Sequence, residues 1–233
     1  MTKERDFDSF LKKAGITFND KNLLKQAFIH RSYINENKNN ELTHNERLEF
    51  LGDAVLELVT TDYLFRKYPD KPEGDLTAYR SALVNSVTLA GVATTLGMND
   101  YLFLSHGESK DTGRARQYIM ADAIEALIGA IYMDRGYDAA KDFIGNHILV
   151  LIDEIISKKT WLDAKSYFQE LGQEKTGLTP LYKTIRENGP DHDKHFTVGV
   201  FLGSDMVVTG EGKSKQEAEQ DAARKALEEK GWL

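Results

Sequence analysis

The chain is 233 residues long, 41% hydrophobic and 29% charged, with a net charge of −7 and no cysteine. That length accommodates one good core and a small second domain, at roughly 100–200 residues per domain. The lack of cysteine excludes disulfides and thiolate metal sites, and the acidic total offers no bulk attraction to a polyanion.

The acidity is spread along the chain. Residues 1–160 carry 20 Lys and Arg against 24 Asp and Glu, and residues 161–233 carry 10 against 13. A nucleic-acid site would therefore be a local basic patch on an acidic body. The opening MTKERDFDSF has no apolar h-region, so no signal peptide is expected. The apolar stretch Tyr118–Met133 is too short for a membrane span and contains two acids. A cytoplasmic protein with no membrane partner is the expectation.

In chain order, Phe7–Lys13, Asp20–Ile29, Asn45–Tyr68, Gly74–Leu96, Gly113–Met133 and Asp138–Ser157 repeat apolar residues at three- and four-residue intervals and predict helices. Breaks fall at Asn35–Asn40, Pro69–Pro72 and Ser105–Thr112. Residues 1–157 thus read as an all-α domain, followed by a linker over 158–162. Residues 163–233 read as a separate α+β module with the order helix, three antiparallel strands, helix. Asp163–Lys175 is its first helix and Leu181–Glu187 its first strand. Along His195–Leu202, the residues Phe196, Val198, Val200 and Leu202 alternate onto one face. Gly203-Ser204 turns the chain into Met206–Thr209, and Ser214-Lys215-Gln216-Glu217 is a capping box opening an Ala-rich helix that runs to Lys230.

Two sets of acids stand out. Asp122 and Glu125 are the only charged residues within Tyr118–Met133, and their i, i+3 spacing puts them on one helix face. Ionised carboxylates are costly to bury, so the pair reads either as core acids satisfied by an arginine (Arg80, Arg114 or Arg116) or by backbone amides, or as half of a cation site. The second set, Glu46, Glu49, Asp53 and Glu57, lies opposite the apolar stripe Leu48, Leu51, Val55 and Leu58. It reads either as a solvated face or as a cation site, and only Arg47 lies among these acids to neutralise them locally. If the two helices pack, Glu49, Asp53, Asp122 and Glu125 converge without His or Cys. An all-oxygen set suits magnesium or manganese better than zinc or copper.

Other motifs carry less. Glu41-Leu-Thr-His44 has the spacing of a di-iron ligand pair, but such sites need two copies. There is no GxxxxGK[ST] loop, GxSxG elbow or HExxH pair.

The stretch NERLEFLGDAVLEL resembles the signature of the ribonuclease III family, and YIMADAIEALIGAIY resembles that family's second catalytic helix. LDAKSYFQE, GPDHDKHF and GEGKSKQEAEQDAARKAL resemble its double-stranded-RNA-binding domain. The resemblance covers essentially the whole chain in the bacterial order. It implies four catalytic carboxylates at Glu49, Asp53, Asp122 and Glu125. Of these, Glu49, Asp122 and Glu125 would be the main magnesium ligands, with manganese as a substitute, and Asp53 and Glu125 those most directly tied to catalysis. Glu46 and Glu73 match supporting acids. Phe50 matches an aromatic that docks into a partner subunit, implying a homodimer. The implied activity is hydrolysis of both strands of duplex RNA to 5′-phosphate and 3′-hydroxyl ends, with no small-molecule cofactor beyond the metal. The implied substrates are ribosomal RNA precursors and some messenger and transfer RNA precursors.

In the C-terminal module, Ser166, Gln169 and Gln173 share a helix face and resemble the family's minor-groove contacts, and His192 in GPDH resembles a second one. Lys213 and Lys215 flank the capping Ser214. Positive charge at a helix N-terminus opposes the macrodipole, whereas a phosphate docked there would satisfy both lysines and the free amides. The family places consecutive basic residues after the serine, but here Gln216 follows Lys215, which predicts weaker RNA binding. A non-catalytic duplex-RNA-binding protein is the alternative reading. A third is an all-α phosphoester hydrolase with an adaptor domain.

Overall fold

The computed structural model describes residues 5–37, 42–159, 161, 163–190 and 194–232. They form two compact units, Met1–Trp161 and Leu162–Leu233.

The first unit contains helices α1 (Phe7–Ala14), α2 (Lys21–Ala27), α3 (Arg31–Glu36), α4 (Glu46–Lys67), α5 (Glu73–Val84), α6 (Ser86–Leu96), α7 (His106–Lys110), α8 (Arg114–Arg135), α9 (Tyr137–His147) and α10 (Ile152–Ser157). Its centre is α8, buried on nearly every side through Ile119, Met120, Ala123, Ile124, Leu127, Ile128 and Ile131. Against it lies the other long helix, α4, which contributes Leu48, Val55, Leu56, Val59 and Leu64 to the same core. Trp161 packs edge-on against Tyr79 of α5, with ring centroids 4.7 Å apart.

The chain departs from its periodicity in three places. The single helix expected over Gly74–Leu96 is two, because Asn85 takes an extended ψ of 158°. Its side-chain amide donates to the carbonyls of Ser81 and Ala82, and its oxygen accepts from the N–H of Thr88. One residue thereby ends α5 and caps α6. The helix expected over Asp138–Ser157 is interrupted by a 3-10 turn at Leu149–Leu151. Helix α7, five residues long, falls inside the expected break Ser105–Thr112, and α3, six residues long, precedes and overlaps the one at Asn35–Asn40. Segments that short carry too few turns for periodicity to register.

The second unit has α11 (Ala164–Thr176), β1 (Leu181–Asn188), β2 (His195–Leu202), β3 (Asp205–Gly212) and α12 (Lys215–Glu229). The sheet is antiparallel in the order β1-β2-β3. Val198, Val200 and Leu202 are buried on the expected face of β2. Phe168, Val200, Leu202, Ala222, Ala223, Ala226 and Leu227 form a core between sheet and helices. Helix α12 begins at Ser214 as expected: the N–H of Glu217 donates to Ser214 Oγ at 3.2 Å, while the Glu217 carboxylate accepts from the N–H of Lys213, one residue before the cap, at 2.9 Å. Among the described residues, no helix is long and apolar enough to cross a membrane.

Candidate active site

Helices α4 and α8 meet at glycines. A Cβ on Gly52 would overlap the carbonyl oxygen of Glu125, and one on Gly129 would overlap that of Leu48. Pairing Leu48 with Gly129 and Gly52 with Glu125 makes the helices antiparallel at this contact. Backbone touches backbone, so the side chains beside the glycines are brought together. Those side chains are acids: Glu49 and Asp53 flank Gly52 on α4, and Asp122 and Glu125 lie on α8.

Glu49, Asp122 and Glu125 each offer a carboxylate oxygen such that the three lie within 4.8 Å of one another, a grouping able to hold a metal ion. All three are partly buried. Among the described residues, no cation lies within ion-pair distance of these three acids or of Asp53. Asp53 stands outside the triplet and is exposed. Burial, then repulsion from Asp53, Asp122, Glu49 and Glu57, pushes the Glu125 carboxyl up to about 8. Burial, then Asp122, Glu46 and Asp53, pushes Glu49 up to about 7. Asp122 is raised by burial and by Glu46. Each like charge disfavours ionisation of the others, and a divalent cation would reverse that balance. The donor set, oxygen only and anionic, fits a hard cation such as magnesium or manganese.

The outer acids of α4 are not free. Glu46 pairs with Arg31 at 3.1 Å, with His44 Nδ1 at 3.8 Å from its other oxygen, and Glu57 pairs with Arg80 at 3.0 Å. The row that looked unneutralised along the sequence is therefore neutralised at both ends by arginines from α3 and α5. The arginines considered as partners for Asp122 and Glu125 are engaged elsewhere in two cases. Arg80 also donates to Thr61, and Arg116 donates to Asn99 and to the carbonyl of Glu108. Glu73 opens α5 and accepts from Thr77 one turn on, outside the converging triplet. Phe50 is 81% exposed on α4.

In the second unit, Ser166, Gln169 and Gln173 are exposed along α11. Ser166 also donates to the capping Asp163 at 2.7 Å, and Gln173 accepts from Thr179 at 3.1 Å. Lys213 and Lys215 are exposed at the start of α12, with Lys215 Nζ 5.9 Å from the centre of the Phe196 ring. His192 lies outside the described residues.

Arg31, the pairing of Arg80 with Glu57 rather than with Asp122 or Glu125, and the Gly52–Gly129 contact are not visible in the sequence. The arginines are remote in sequence from the acids they neutralise. A glycine inside a long helix was the only visible signal of the close crossing, because such a residue costs about 1 kcal/mol against alanine and usually has a packing reason.

Comparison with known proteins agrees with this division. Residues 20–152 match the family model for ribonuclease-III-like domains, and residues 164–230 match the double-stranded RNA binding motif. The chain is 44% identical to Ribonuclease 3 of Pelotomaculum thermopropionicum over 92% of its own length and 89% of that protein's. It is 45% identical to Ribonuclease 3 of Enterococcus faecalis over 91% and 92% of the two lengths. Among solved structures, a nuclease domain of ribonuclease III from Campylobacter jejuni matches with a TM-score of 0.56 and 39% identity. That match covers 64% of this chain and 97% of the other.

Proposed function

The chain belongs to the ribonuclease III family, and from that membership we propose that it is a magnesium-dependent endoribonuclease that cuts both strands of double-stranded RNA. The observation that carries this reading is the convergence of Glu49, Asp122 and Glu125 within 4.8 Å, with no ion-pair partner for them among the described residues. These three residues would hold the metal. What a divalent ion supplies when bound is neutralisation of charge on the phosphate oxygens and a more acidic water.

The remaining roles belong to the chain itself. Glu125 and Asp53 are the carboxylates tied most directly to the reaction, with Asp53, outside the triplet, left to accept a proton from the attacking water. Water adds to phosphorus, the P–O3′ bond breaks, and a proton passes to the departing oxygen. The products carry a 5′-phosphate and a 3′-hydroxyl. Glu46 supports the triplet from its edge, and Glu73 is the acid left to contact substrate. The RNA-binding domain holds the duplex through Ser166, Gln169, Gln173 and His192 toward the minor groove, and through Lys213 and Lys215 toward phosphate. Its 10 basic against 13 acidic residues support weaker binding than in more basic relatives.

We further propose a homodimer. Phe50, Leu58 and Phe65 are all exposed on one face of α4, as an interface would require. The Campylobacter jejuni nuclease domain has a region involved in dimer formation. Ribosomal RNA precursors, with some messenger and transfer RNA precursors, are the proposed substrates, in the cytoplasm.

Incubation of a long RNA duplex with and without magnesium, followed by end-mapping, tests the reading. Short products bearing 5′-phosphates and appearing only with metal are expected. Tight binding without cleavage under every metal condition would favour the non-catalytic RNA-binding alternative.

A further inference from the structure

Resting on that reading, we propose that Arg31 is a substrate-positioning residue that holds a backbone phosphate of the duplex at the rim of the carboxylate cluster. A phosphodiester brings negative charge toward three acids whose oxygens already crowd within 4.8 Å of one another. A cation on the same rim lowers the cost of that approach, and arginine's fork matches phosphate oxygens in pairs. Two arginines border the acidic row of α4, and they differ in what they have left to offer.

Arg80 is committed. Its Nε meets Glu57 at 3.0 Å, its Nη1 donates to Thr61 at 3.0 Å, and its side chain is 34% exposed. Arg31 meets Glu46 through Nη1 at 3.1 Å, while its side chain remains 63% exposed. A guanidinium has five N–H donors, so the contact with Glu46, its one ion pair among the described residues, fixes Arg31 beside the cluster without using most of them. Glu46 lies one turn before Glu49 on α4, so its contact with Arg31 places that side chain beside the metal-binding edge.

Arg31 also stands on a well-anchored element. His30 Nδ1 accepts from the N–H of Ser32 and caps α3. Ser32 Oγ accepts from the N–H of Ser105 at 3.0 Å, and Glu36 accepts from the N–H of His106 at 2.9 Å. These bonds bind both ends of α3 to the segment that opens α7. A cation held in this way orients a phosphate with less loss of freedom than one on a loose side chain.

Cleavage kinetics of a duplex RNA test the assignment in the full-length protein, comparing wild type with Arg31→Ala, Arg31→Lys and Arg66→Ala, a surface control that pairs with Asp62. RNA binding is measured across a salt series with each change in the Glu125→Gln background, and manganese binding with the metal alone. Arg31→Ala should raise KM about tenfold, with kcat changing less than about threefold, and should flatten the salt dependence of binding by about one counterion per site. Arg31→Lys should recover part of the KM, and manganese affinity should not move. A KM and salt slope no different from those of Arg66→Ala would overturn the proposal. So would a loss of manganese affinity that accounts for the whole effect, since Arg31 would then merely prop Glu46. A wild-type protein that cuts no duplex would instead overturn the enzymatic reading, and is scored separately from the variants.

Discussion

Gly52 touches Glu125 through the backbone: a Cβ at Gly52 would lie 2.7 Å from the carbonyl carbon of Glu125. The residue that permits this contact sits between two of the acids it brings to the site, Glu49 and Asp53. Gly52→Ala must therefore push α4 from α8 at the point where the carboxylates converge. The expected result is a loss of about 1–3 kcal/mol of stability from overpacking, together with weakened metal binding. Thermal melts and a manganese titration check this, and a variant matching wild type in both would contradict it.

The site carries a pH signature in the ion-free protein. Glu125 and Glu49 are pushed up to about 8 and about 7, from an ordinary value of 4.5. Between those limits the folded protein binds more protons than the unfolded chain, so stability falls as pH rises through the window. In chelator, Glu125→Gln should therefore melt above wild type near about pH 9, with the gap closing toward about pH 5. Saturating magnesium should reverse the order at high pH, because it binds the folded wild type preferentially. A gap that does not vary with pH would count against mutual repulsion at the cluster.

Phe50 and Phe65 are 81% and 70% exposed on α4. Replacing both with glutamate should weaken a homodimer well over tenfold while leaving the protomer folded, because neither ring belongs to the core. Light scattering on fractionated protein reads this directly. A dimer that persists in the double variant would place the interface elsewhere.

In the RNA-binding domain, Lys213→Ala combined with Lys215→Ala should flatten the salt dependence of duplex binding by roughly two counterions. Gln169→Ala should weaken binding a few-fold without changing that slope, since an amide contact releases no counterion. Equal slopes for the double-lysine variant and wild type would remove the two lysines from the phosphate contacts.

Much of this arrangement is legible in the residues, for local reasons. The alternation in β2 and the N-cap at Ser214 act over a few residues, and the structure contains both. The break at Asn85 was hidden because apolar spacing runs on from Leu83 to Leu89, while a side-chain cap divides the helix. The charge balance of α4 was hidden because Glu46 and Glu57 find arginines on other helices. No helix-face rule sees such partners. The acids of α4 and α8 could be listed from the sequence, but their separation depends on the glycine crossing, which only packing reveals.

The most direct measurement is single-turnover cleavage of duplex RNA in magnesium by Glu125→Gln beside wild type, with binding of the same duplex measured in parallel. The amide keeps the shape of Glu125 and removes its charge from the triplet. Cleavage is expected to fall by at least about a thousandfold, some 4 kcal/mol of barrier, while binding stays within a few-fold. A variant that cuts at the wild-type rate would contradict a carboxylate-held metal as the centre of this enzyme.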